Sequence, residues 1–127
     1  MNSQSVGPSV DLRAIGVGML WGLGLLLMAA LGQGVVTFRS PVAVGTELIL
    51  SIIWQLAAAL LSGYFAARRA SGAGWLHGAL SGVALILAIA AVMGVHTALP
   101  TLAAALKMAG IGTGAGALGG VVGINRG

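Results

Sequence analysis

The chain has 127 residues, of which 58% are hydrophobic and only 6% charged, with a mean hydropathy of +1.06. A soluble domain carries about 25% charged residues, so this inventory excludes a water-facing surface and places the chain in a bilayer. The net charge of +4 is spread over six dispersed basic residues with few aromatic partners, which speaks against nucleic acid, and the lack of cysteine excludes disulfides, thiolate chemistry and cysteine-held metals.

In chain order, residues 1–13 read as a polar N-terminal tail, with Asp11 and Arg13 at its end. The apolar run that follows is longer than the core of a signal peptide, so it is expected to stay as the first span. Four apolar stretches are each long enough to cross a bilayer: 14–36, 46–67, 74–95 and 99–123. The links between them, "TFRSPVAVG", "RRASGA" and "HTA", are short, so sequence neighbours should be antiparallel and adjacent. No alternating segments of about ten residues suggest a β-barrel. The expected fold is all-α, a single membrane domain built as a four-helix transmembrane bundle.

The basic residues set an orientation. Arg13, Arg68, Arg69 and Arg126 share one side and Arg39 stands on the other, which puts both termini and the "RRASGA" turn in the cytoplasm. Tyr64 and Trp75 flank the double arginine at headgroup depth, so Arg68, Arg69, Trp75 and Tyr64 form a topology and headgroup set. In a lesser reading the Arg68/Arg69 turn contacts anionic headgroups, worth about 1 kcal/mol per basic residue.

Shifted by 60 residues, the chain aligns with itself. Residues 18–37 fall on 78–97 with nine identities, among them Gly18/Gly78, Gly22/Gly82 and Leu25/Leu85. Each unit would hold two spans, so a duplication would be parallel and would generate a pseudo-two-fold along the membrane normal. The same shift places Glu47 on Lys107, where an acid and a base would meet near that axis.

Lys107 lies about 10 Å below the outer edge of the fourth span, where a lysine costs a few kcal/mol unless it snorkels or is paired. Three readings are open: snorkelling, a structural pair with Glu47, or a polar site that also includes mid-span Gln55. Ser51, Gln55, Ser62, Ser81 and Thr113 are expected to hydrogen-bond between helices. Gly18, Gly22, Gly78, Gly82, Gly112, Gly116 and Gly120 put small residues on single helix faces and should pack closely, within the chain or with another copy. The glycine content of the fourth span also predicts that it bends or unwinds in part. His77 and His96 sit at opposite ends of the third span, about 28 Å apart, so they share no metal and each is read as interfacial.

"GYFAARRASGAGWLHGALSGV" (63–83), with four spans and a tail ending "GGVVGIN", resembles the small four-span bacterial membrane proteins of unknown function. The motif is a Gly-x-x-Ala-x-Arg turn followed by Gly-Trp-x-x-Gly, here Gly63, Ala66, Arg68, Gly74, Trp75 and Gly78. The resemblance implies a fold and a location and brings no activity with it.

With one Asp and one Glu, acid–base catalysis has almost no material, and no cofactor or metal is expected. The expected function is that of a non-enzymatic integral membrane protein of the bacterial inner membrane, assembling through its glycine faces with itself or with a membrane-protein partner. The alternative is a small transporter or channel subunit with its site at Lys107, Glu47 and Gln55.

Overall fold

A computed structural model describes residues 9–96 and 101–126, which form four α-helices: α1 (Leu12–Arg39), α2 (Val44–Arg69), α3 (Gly74–His96) and α4 (Leu102–Asn125). The helices have 23 to 28 residues, so each is about 35–42 Å long and exceeds the roughly 30 Å hydrocarbon core. All four are long and apolar enough to cross a membrane, so this is a multi-pass membrane protein. The expected all-α bundle is what forms. Residues 1–8 of the N-terminal tail and the link at 97–100 lie outside the described residues.

Local chemistry sets the helix boundaries. α1 starts two residues before the apolar run, because the Asp11 carboxylate caps the backbone N–H groups of Arg13 and Ala14. α4 starts at Leu102, later than hydropathy suggests, because Thr101 after Pro100 is its cap and accepts from the Ala104 N–H. Glu47 in the first turn of α2 and Arg39, Arg68 and Arg69 in last turns complement the helix dipoles.

The four helices do not form a square. α2, α3 and α4 pack against one another, α1 packs against α2 and α3, and α1 and α4 do not touch. A two-fold along the membrane normal would carry the α2–α3 contact onto α4–α1. The two hairpins do use equivalent glycines: Gly18 and Gly22 lie against both α2 and α3, whereas Gly78 and Gly82 face α4.

The core is confined to the half of the bundle that holds Arg68 and Arg69, here the double-arginine end. Buried residues run over Ala14–Ala29 in α1, Ala58–Ala67 in α2 and Gly112–Gly123 in α4. In α3 the buried apolar side chains are Ala79, Leu85 and Ile86. Glycine makes this half possible. A Cβ on Gly63 would strike the Gly116 carbonyl, and one on Gly116 would strike the Gly78 carbonyl, with the Gly82 Cα 2.9 Å away. Three backbones therefore meet at Gly116. The expected break in α4 does not occur. Its helix runs unbroken, because Gly112, Gly116, Gly119, Gly120 and Gly123 lie against α2 and α3, and close dispersion contact offsets their poor helix propensity.

Not every α4 glycine is used in this way. Gly110 and Gly114 have nothing within 4 Å of an added Cβ. Gly116→Leu is therefore expected to abolish the folded bundle or lower its stability by more than about 3 kcal/mol, the upper range for overpacking. Gly110→Ala is expected to be neutral or stabilising by up to about 1 kcal/mol, as an exposed helix position gains propensity. Thermal unfolding of the two variants in one detergent checks this; equal melting temperatures would refute it.

Candidate functional site

Side-chain hydrogen bonds between helices are concentrated on α1 and the faces it meets. At the double-arginine end the Asp11 backbone N–H donates to Nε2 of His77, 2.9 Å away. Nε2 is thus the acceptor, and Nδ1 carries the hydrogen that it donates to the Ala73 carbonyl at 3.1 Å. Ala73 holds that carbonyl in place from a left-handed backbone conformation, φ 44°. One turn further in, the Ser81 hydroxyl donates to the Ile15 carbonyl at 3.2 Å, so Ser62 must be the donor in the 2.6 Å Ser62–Ser81 contact. His77, Ser62 and Ser81 are at most 1% exposed. His77 lies near the end of its span, and its ring is buried within the bundle. Gly18 makes the room: its missing Cβ would lie 2.5 Å from the Ser81 Oγ. At the far end, here the Glu47 end, the Thr37 hydroxyl donates to Oε1 of Glu47 at 3.1 Å, closing the α1–α2 hairpin.

The structure does not bring the expected polar site together. Glu47 points to Thr37 on α1, while Lys107 is exposed on α4, a helix that α1 does not reach. Lys107 makes no ion pair among the described residues. Gln55 is half-buried and, like Ser51, makes no hydrogen bond to another described residue. Of the other polar groups within spans, Ser62 and Ser81 do bridge helices, whereas the Thr113 hydroxyl bonds its own helix at the Ala109 carbonyl, 2.7 Å away. Arg68 and Arg69 are exposed. The Arg68 guanidinium lies 5.7 Å from the Tyr64 ring centre and donates to its hydroxyl at 3.2 Å, and Trp75 is exposed beside this turn. Trp21 of α1 stacks on Phe65 of α2 with ring centres 4.4 Å apart, a contact the sequence reading did not anticipate.

Beyond Leu85 and Ile86 the helices separate, and three cavities open toward the Glu47 end. One of about 500 Å³ lies between α1, α2 and α3, with the amides of Gln33 and Gln55 and the Ser51 hydroxyl in apolar walls that include Leu26, Ala88 and Val92. A second of about 420 Å³ lies between α1 and α2. These two adjoin along α1, with Ala29, Gln33 and Trp54 in the walls of both, and together make up the two lobes of a cleft on either flank of the α1–α2 contact. A third, of about 360 Å³, lies between α2, α3 and α4. Gln33 makes no hydrogen bond to another described residue. Mostly apolar walls with a few convergent polar groups are the usual composition of a small-molecule site.

Residues 11–123 match a protein family of unknown function, DUF3792. The chain belongs to that family. No curated protein and no solved structure matches it. The DUF3792 match spans all four helices, from the Asp11 cap to Gly123, and so includes both the α1 ties and the cleft.

In this DUF3792 chain Glu47 and Gln55, which the sequence marks, line the cleft from α2, whereas Gln33, a neutral amide in an apolar run, stands out only once α1 and α2 are laid together. The tie at His77 had no sequence signal beyond a histidine near a helix start. His77→Ala is expected to cost about 2–4 kcal/mol, because it leaves a void and an orphaned Asp11 N–H in the packed half. Thr37→Val, at the open end, is expected to cost nearer to 0.6 kcal/mol, the mean for a cross-helix hydrogen bond in a membrane. Unfolding in detergent measures both; a larger loss for Thr37→Val would reverse the assignment of which tie holds α1.

Proposed function

We propose that this is a non-enzymatic membrane protein that acts by binding a small amphiphilic molecule in the cleft along α1. The observation that carries the reading is the division of the bundle. One half is closed by glycine contacts, and the other holds about 500 Å³ and 420 Å³ of adjoining, apolar-walled space with two amides in its walls that have no hydrogen-bond partner among the described residues. An amide facing hydrocarbon without a partner costs free energy, and an occupant with its own polar group offsets that cost. Acid–base chemistry finds no support in the geometry, since Asp11 caps one end of α1 and Glu47 is bonded to Thr37 near the other. We further infer that the double-arginine end faces the cytoplasm of a bacterial inner membrane, from Arg13, Arg68, Arg69 and Arg126 at that end against Arg39 at the other. The Gly63-x-x-Ala66-x-Arg68 turn and Gly74-Trp75-x-x-Gly78 then belong to the packed half of the fold, since Gly63, Ala66, Gly74 and Gly78 are buried there.

The reading is tested by ligand-linked stability. Amphiphiles that occupy the cleft are expected to raise the melting temperature of the protein in nanodiscs, by mass action on the folded state. Ala88→Trp, which fills the α1–α2–α3 lobe, is expected to remove that shift while leaving the protein folded. A broad amphiphile panel without a shift, or a shift that Ala88→Trp leaves intact, would overturn the proposal.

A second reading, self-association through glycine, has a specific observation in its favour. Gly18, Gly22, Gly78, Gly82, Gly112, Gly116 and Gly120 are all filled by the chain's own helices, but Gly110 and Gly114 form a Gly-x-x-x-Gly pair on an open face of α4. Gly114→Leu is expected to leave melting unchanged and to abolish energy transfer between labelled copies in liposomes. Energy transfer equal to that of the wild type would remove this reading.

A further inference from the structure

We propose that the α1–α2 lobe of the cleft is a site for a lipophilic cation, an amphiphile with one positive charge carried on a bulky apolar body. This rests on the cleft being the binding region and names what it takes. The lobe has walls of Met28, Val36 and Leu50, and its chemistry comes from Glu47, Trp54 and Gln33. Glu47 is the single carboxylate within the four spans, in a chain that is otherwise basic. It is half-buried, and Thr37 holds one carboxylate oxygen.

Among the described residues no cationic side chain pairs with Glu47. Arg39 is exposed at the end of α1, Lys107 is exposed on a helix that does not touch α1, and neither makes an ion pair among the described residues. Trp54 lies two turns further along α2 in the same lobe, where an indole face attracts a poorly hydrated cation. Gly32 in the lobe has nothing within 4 Å of an added Cβ, so the wall opposite stays open for a bulky group.

Other ligand classes fit less well. A hard metal ion needs several oxygen ligands, and no group of three acidic or histidine residues exists among the described residues. A neutral lipid fills the volume but leaves the carboxylate at the edge of hydrocarbon without a counter-charge. An anionic lipid adds like-charge repulsion. A cation with an apolar body satisfies the carboxylate, the indole and the walls together.

The experiment uses the full chain in nanodiscs of neutral lipid, with tetraphenylphosphonium as probe and titration calorimetry as readout. Saturable binding is expected. Glu47→Gln is expected to weaken it by about tenfold or more, the loss of a charge-assisted contact. Trp54→Leu is expected to weaken it and Trp54→Phe to retain most of it, while Lys107→Ala leaves it unchanged. Each variant is melted first, and Thr37→Val, which frees the carboxylate without removing it, keeps the test open if Glu47→Gln does not fold: binding must then persist. No saturable binding, equal binding by Glu47→Gln, or equal binding of neutral triphenylphosphine would overturn the proposal. If neutral amphiphiles still stabilise the protein in an Ala88-dependent way, the ligand class fails and the cleft stands.

Discussion

The structure depends on three helix backbones approaching to contact distance at Gly116. Gly63 from α2, and Gly78 and Gly82 from α3, face it there. Within a bilayer no hydrophobic effect drives helices together, because lipid tails are as apolar as leucine. Association must come from dispersion between closely matched surfaces, and glycine gives the closest match. The concentration of glycine in α4 is thus a requirement of a three-helix unit that has few large side chains to interdigitate. Its largest fully buried side chain is Leu85; the others are His77, Ser62 and Ser81.

α1 is attached by different chemistry. It contributes Gly18 and Gly22 to close approaches, but it is also tied at its start and end by hydrogen bonds: Asp11 and Ile15 through their backbones to α3, and Thr37 to α2. α4 has no such bond to another helix among the described residues. Dispersion contacts of the glycine kind lose about a quarter to a half of their strength over a gap of about 0.5–1 Å. A polar tie at each end of α1 instead leaves the middle of its inner face free to diverge. The cleft sits there, between the buried ties near His77 and the Thr37–Glu47 bond.

Much of this was legible in the sequence, for physical reasons. Long apolar runs separated by short polar links can only be spans, and the Gly-x-x-x-Gly pairs marked faces of close approach. Glycine does not encode its partner, so whether those faces met within the chain was open until the helices were placed. The bend expected in α4 came from summing single-residue propensities, and tertiary contact overrides these. Lys107 drew attention because a charge in a span is conspicuous, yet it is exposed and makes no ion pair among the described residues. Gln33, a neutral amide between two glycines, drew none and lines both lobes of the cleft. Charge is a strong sequence signal and an unreliable guide to which polar group faces the interior.

At the offset of 60 residues the two hairpins differ in how their helices meet. The glycines at equivalent places in α1 and α3 both make close approaches, so the packing device is shared. The second helices differ. Along α2, Glu47, Ser51, Gln55 and Ser62 recur at helical spacing; at the equivalent places α4 has Lys107, Ile111, Ala115 and Val122. Ala115 is buried, while Lys107 and Val122 are exposed. α4 thus presents small residues inward and meets both neighbours tightly. α2 instead carries Glu47, Ser51 and Gln55 in the walls of the open half, while Ser62 is paired with Ser81 in the packed half. The difference between the hairpins thus lies along their second helices, where small residues close one pair and serine and glutamine line the opening beside the other.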